Sequence, residues 1–215
     1  MTTSDVRDEL LMAYAAGRVA EPVRLVLDTH LALSPRSRRE VRCYEAIGGA
    51  LLETMPPEPL EPDALDRIMA CLDDAAPIAR RRARDDTGDP LIPAPLRAYL
   101  PASLDQLEWV GYGPVAEAEL LADVPGYRTR LLRIKAGKAV PQHTHEGSEL
   151  TVVLQGAFRD GGERYGRGDL AIADESVDHR PVAEEGEDCL CLAVTDAPLK
   201  LTGRFTRFLN PFVRI

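Results

Sequence analysis

The sequence holds no apolar run approaching the roughly 18 residues needed to cross a bilayer, and no basic-then-apolar leader ending in small residues. Positive charge is short as well. Against 35 Asp and Glu stand 26 Lys and Arg, for a net charge of −9. Phosphate contacts need a basic surface, so direct nucleic-acid binding is excluded. The one basic run, Arg80-Arg81-Arg82 with Arg84, is too short to reverse that balance. Cysteine is scarce: Cys43 and Cys71 stand alone, Cys189 and Cys191 are two apart, and none forms a C-x-x-C pair. These absences predict a cytoplasmic chain in a reducing compartment, away from membrane and nucleic acid.

What is present divides near the middle. At 45% hydrophobic and 28% charged residues, the 215-residue chain can bury a core in one or two units. Val6, Leu10, Ala13, Tyr14 and Gly17 recur at helical spacing, with Ser4 as a cap and Gly17 as a stop. A second stripe runs through Val23, Val26, Leu27, His30 and Leu31, with Pro22 in the first turn. A third helix is predicted to start at Ser34 and Pro35 and to bury Val41, Tyr44, Gly48, Leu51 and Leu52. A fourth spans Pro62 to Leu72. Residues 1–75 therefore read as a helical module, and the Pro- and Arg-rich stretch 76–95 as a flexible linker.

Beyond it, in 96–215, the period becomes two. Arg128–Lys135, Leu150–Gln155, Phe158–Tyr165, Leu170–Ala173 and Cys189–Thr195 read as short strands, and Asp160-Gly161-Gly162 as a hairpin turn. Three of the four histidines fall in this half. His143 and His145 share one face of an extended strand, so both imidazoles can reach one ion. Glu149 follows a segment able to turn the chain back beside them, and His179 is the remaining histidine. Three imidazoles and a carboxylate suit one divalent ion: zinc, with iron, manganese and nickel as alternatives.

With Gly137 and Gly156, these residues spell G-x5-H-x-H-x3-E-x6-G, the first motif of the cupin β-barrels, without a departure. The second motif is degraded: Gly168 and His179 keep their places, while Asp174, Ser176 and Ala183 replace its proline, second glycine and asparagine. The fold class is thus α+β in two domains, a small helical bundle followed by a cupin-type jelly-roll barrel.

The order of helices, linker and single cupin resembles the ChrR family of bacterial anti-sigma factors. The stretches that carry the likeness are Leu10 to Gly17, Thr29 to Leu33, Glu149 to Asp160 and Asp188 to Leu199. The resemblance implies that the helices sequester an extracytoplasmic-function sigma factor, with contacts from Leu11 and Tyr14 among others. It also implies that the metal-bearing barrel serves a response to singlet oxygen or related oxidative stress. One departure is plain. Where such zinc modules carry H-x3-C-x2-C and an early histidine, this chain has His30, Ser34, Ser37 and Asp5. Hydroxyls are poor zinc ligands beside thiolates, so this site is expected to be metal-free. His30 then reads as a core histidine hydrogen-bonded to Asp5 or Ser34, and Ser34 as a helix cap.

A cupin metalloenzyme, a dioxygenase or isomerase of a small organic substrate, is the alternative reading, with Tyr127, Tyr165, Arg130 or Glu146 as helpers. Cys189 and Cys191, on one strand face, are either packed thiols or a redox pair within reach of an oxidant.

Overall fold

The computed structural model describes residues 3–74, 89–101 and 103–203, with side chains from Arg7 onward. Four helices lead: α1 (Thr3–Ala15), α2 (Glu21–Leu33), α3 (Pro35–Thr54) and α4 (Ala64–Asp74). Ser4, read as a cap, lies inside α1. Gly17 does end that helix: its φ of +69° lets Arg18 N–H reach back to the Ala13 carbonyl. Ser34 caps α3 by accepting from the Ser37 N–H at 3.3 Å.

The helical core is small. Leu11, Leu27, Leu31 and Val41 form it, with Tyr14 and Tyr44 at its edge. The stripe predicted along α3 is buried only in its first turns. Beyond Val41 the helix projects away from the core, leaving Leu51 and Leu52 62% and 69% exposed. Among the described residues nothing packs against that half, which corrects the expected burial of Gly48, Leu51 and Leu52.

Much of the chain from 76 to 88 lies outside the described residues. The last part of the expected linker is packed instead: Ile92 is buried, and the short α5 (Ala94–Arg97) lies against α2. The barrel strands are β1 (Val110–Tyr112), β2 (Val115–Leu120), β3 (Arg128–Ile134), β4 (His143–His145), β5 (Glu149–Gln155) and β6 (Ala157–Asp160). They continue as β7 (Glu163–Gly166), β8 (Leu170–Ala173), β9 (Val182–Ala183), β10 (Cys189–Thr195) and β11 (Leu199–Leu201). All pairings are antiparallel. A six-stranded sheet runs β1-β2-β3-β10-β5-β8, faced by β7-β6-β9 and the pair β11-β4. This closes a jelly-roll.

The central strands of the six-stranded sheet, β3, β10 and β5, are buried on both faces, and alternation sorts their residues. Leu131, Leu150, Val152, Leu154, Leu190 and Leu192 point outward, onto Leu25 and Val26 of α2 and onto Ile92 and Leu96. Ile134, Val153, Cys189 and Cys191 point into the barrel. So α2 serves two cores, one face on the helices and the other on the sheet. The helical module does not hang from the barrel; it covers it.

Candidate metal centre

Strand β4 is short but strongly oriented. His143 pairs with Leu201 and His145 with Leu199, while the chain at His179 runs antiparallel to His143 with two backbone hydrogen bonds. That bridge brings the degraded second motif back to the first. Glu149 opens β5 opposite Thr195 and Ala173. One ligand atom each from His143, His145, Glu149 and His179 lies within 4.8 Å of the others. The four sequence-predicted ligands therefore converge.

The motif glycines hold the turns that allow this. Gly156 has φ +66°, and a Cβ there would sit 2.8 Å from the Asp188 carbonyl oxygen.

The hydrogen bonds behind the imidazoles fix which nitrogens face inward. His143 Nδ1 lies 2.8 Å from the Pro141 carbonyl, which can only accept, so this nitrogen carries the proton. His179 Nδ1 lies 2.6 Å from Asp160 Oδ2 and donates to it. Both Nε2 atoms are then lone-pair acceptors, yet they stand only 3.1 Å apart. His145 Nε2 is 3.0 Å from that of His179, and its Nδ1 is buried without a partner. Lone pairs so close need a proton or a cation between them. The residues fit a divalent ion, with the Asp160–His179 pair as the carboxylate–histidine support common at such sites.

Electrostatics agree. Burial lowers the pKa of His143 and of His145, keeping both neutral and ready to ligate. Burial pulls His179 down too, but the hydrogen bond and charge of Asp160, with Glu149 and Asp178, carry it above its ordinary value. Asp160 was not singled out as a partner of the cluster in the sequence, because it lies in a hairpin with no motif of its own.

Beside the cluster lies a cavity of about 940 Å³, lined by Leu132, Ile134, Phe158, Tyr165, Arg130 and Cys191 among others. Of the four proposed enzymatic helpers, Arg130 and Tyr165 face it. Tyr127 packs in the outer core and Glu146 is exposed. Cys189 and Cys191 Sγ atoms are 3.6 Å apart in the free thiols. The hydrogen bond between them and burial raise the Cys191 pKa, so it is a thiol at neutral pH.

The second histidine site is assembled differently. His30 Nδ1 is 2.7 Å from the Gly168 carbonyl in the barrel, and its Nε2 is 2.8 Å from Ser37 Oγ. This corrects the expected partner Ser34; the other, Asp5, has its side chain outside the described residues. Since Gly168 O can only accept, Nδ1 donates and Nε2 accepts from the Ser37 hydroxyl. Ser34 Oγ is 3.1 Å from Ser37 Oγ. His30, Ser34 and Ser37 thus meet as a hydrogen-bonded chain. Leu11 is fully buried, which removes it from any contact surface of this conformation, and Tyr14 gives its hydroxyl to Asp28.

Fold and site together define a cupin with a four-residue cluster able to hold a metal ion, joined to and covered by a helical module. Residues 100–198 match the family model of the ChrR cupin-like domain. The chain is 44% identical over 212 residues to the anti-sigma-E factor ChrR of Cereibacter sphaeroides, covering 98% of this chain and 97% of that one. It is also similar to ChrR as seen in the crystal structure of the Rhodobacter sphaeroides SigE complex. There the TM-score is 0.74 at 43% identity, over 88% of this chain and 96% of that one. The chain belongs to the ChrR family of anti-sigma factors.

Proposed function

We propose that this chain is an anti-sigma factor whose helical module, residues 1–75, holds an extracytoplasmic-function sigma factor, while the cupin, residues 96–215, governs release under oxidative stress. The observation that carries the grip is an apolar face without a partner among the described residues. On α3, Ile47, Leu51 and Leu52 are 57–69% exposed, and on α4, Leu65, Ile68 and Leu72 are 58–69% exposed. Each such side chain gains about 1.5–3 kcal/mol when fully buried, and monomers rarely leave so much apolar surface open. A helical segment of a partner fits such a face. Tyr14, which packs against the small core and gives its hydroxyl to Asp28, is a less favoured contact.

His143, His145, Glu149 and His179 would hold the ion, and zinc suits a set of three imidazoles and one carboxylate. Four protein ligands fill a tetrahedral site, which suits a structural or sensory ion rather than a catalytic one. The cavity beside the cluster favours a second reading, a dioxygenase or isomerase that keeps an open position, and turnover of a small organic acid by the metal-loaded chain would favour it. Cys189 and Cys191 are the proposed redox pair. Residues i and i+2 of a strand stand at roughly 6.6–6.8 Å between Cα atoms, at the upper edge of what a disulfide spans.

The test is co-purification of the full chain with an extracytoplasmic-function sigma factor of the same genome. Binding is expected, and Ile68→Asp with Leu72→Asp lowers affinity at least about 100-fold, two lost burials' worth, without loss of thermal stability. Absence of binding by the parent chain overturns the reading. Cys189→Ser with Cys191→Ser should keep binding but blunt oxidant-driven release; unchanged release makes the thiols packing only.

A further inference from the structure

We propose that residues 204–215 of this chain fold back onto the barrel cavity, with their phenylalanines on its apolar wall and their arginines against its acidic mouth. The inference rests on the cavity and on the sequence of that segment, and is independent of the sigma-binding reading.

The segment lies outside the described residues, and its composition is unlike the rest of the chain. Phe205, Phe208 and Phe212 are three of only four phenylalanines in the protein, joined here by Leu209, Val213 and Ile215. Burial of so apolar a stretch is favourable. Arg204, Arg207 and Arg214 stand among them with no acidic residue, in a chain of net charge −9. The surface that receives this segment must therefore be apolar and rich in carboxylates.

The described chain delivers it to such a surface. On β11, Leu199 and Leu201 both line the cavity. Just beyond, Thr202 donates its N–H to the Gln142 carbonyl at 3.1 Å and its hydroxyl to Asp178 at 2.6 Å. Gly203 N–H meets the same carbonyl at 3.4 Å. Asp178 is itself a lining residue, so the backbone is pinned at the cavity mouth. One residue spans at most about 3.6 Å, which keeps Phe205 within about 7 Å of Gly203.

The cavity matches the segment in shape and charge. It holds about 940 Å³, and Leu132, Ile134, Phe158 and Tyr165 supply apolar wall. Phe158 and Tyr165 stack at 5.0 Å, an aromatic surface onto which a further ring packs. Among the described lining residues, five carboxylates face two guanidiniums, Arg130 and Arg180. That is a surplus of three negative charges, and a divalent ion in the cluster would still leave one. Glu117 pairs with Arg130, while Glu149 and Asp160 serve the cluster. Glu163 and Asp178, both exposed, are left at the mouth. Glu163 accepts from the Tyr165 hydroxyl, and Asp178 from Gln142 and Thr202, all of them neutral donors. Guanidiniums entering from Arg204 and Arg207 supply the counter-charge these two carboxylates lack.

The experiment follows amide hydrogen exchange of the full, metal-loaded chain, without sigma factor, by mass spectrometry. Residues 205–213 are expected to exchange at least about tenfold more slowly than in a free peptide of the same sequence. Phe205→Asp with Phe208→Asp should abolish that protection at unchanged metal content. Glu163→Gln with Asp178→Asn should lower it at least about twofold, the lower worth of two exposed ion pairs. Benzoylphenylalanine in place of Phe208 then locates the segment on irradiation, with cross-links expected within one chain to β3, β6 or β7. Exchange as fast as in the peptide, or protection that either pair of substitutions leaves unchanged, overturns the proposal. So do cross-links confined to α3, α4 or a second copy, and protection that arises only on adding phosphatidylglycerol vesicles. Exchange of the parent chain and the cross-link decide even if the Glu163 and Asp178 variant does not fold.

Discussion

Asp160 stands behind the metal cluster. Its carboxylate takes the Nδ1 proton of His179 and so points the Nε2 lone pair at His143 and His145. Asp160→Asn keeps the shape but loses the charge that holds this tautomer. Metal affinity, measured by chelator competition, should fall by about 10- to 100-fold. Unchanged affinity would show the pair to be incidental. His30 makes a prediction of a different kind. Burial lowers its pKa from 6.5, so the unfolded chain binds the proton more tightly than the folded one. The contribution to stability is present in full above pH 6.5 and is lost as pH falls through the folded value. Unfolding midpoints in denaturant should therefore drop on acidification below pH 6.5, more steeply for the parent chain than for His30→Gln. Parallel pH profiles of the two proteins would remove His30 from the account.

Among the elements, α2 and α3 bring His30, Ser34 and Ser37 together at their junction. His30 Nε2, Ser37 Oγ and Ser34 Oγ are linked at 2.8 and 3.1 Å, so the positions still converge. Ser34→Cys with Ser37→Cys should therefore gain one zinc per chain beyond that of the cupin, read by metal analysis after dialysis. No gain would mean that the hydrogen-bonded arrangement has drifted from ligand geometry. The same pair of helices shows how a stripe can mislead. Leu51 and Leu52 have helical spacing with Val41, yet a 20-residue helix is about 30 Å long and the core it meets is only a few turns deep. Periodicity locates an apolar face and leaves open whether the chain or a partner covers it.

For the whole molecule, the two halves share a core. Leu25 and Val26 of α2 lie among Leu150, Val152 and Leu192 of the sheet, and His30 reaches the Gly168 carbonyl. Gly168 has φ +88°, and a Cβ there would approach Leu33 Cβ to 2.9 Å, so the close contact depends on glycine. Helix and barrel signals should then be lost together. Heating the metal-loaded chain, far-ultraviolet circular dichroism and Trp109 fluorescence are expected to report one coincident transition. Two separated transitions would show that the contact between the halves is weak. A shared core also gives the barrel a physical route to the helices, since β5 carries both the ligand Glu149 and the outward residues Leu150 and Val152.

The sequence by itself determined that His143, His145 and Glu149 cluster, because H-x-H, a turn and a glutamate place their side chains by local backbone rules alone, and glycines mark where the chain must bend. It determined most strands of the barrel and the starts of α2 and α3 for the same reason. Only the tertiary structure decided what lies across space: that His30 bonds to Gly168, that α2 roofs the sheet, that Leu11 is interior and the apolar side chains of α4 exposed, and that Arg130 is sunk beside the cavity between Glu117 and Glu149. Those facts depend on pairing residues up to 138 positions apart, and alternation along one strand cannot say which element covers either of its faces.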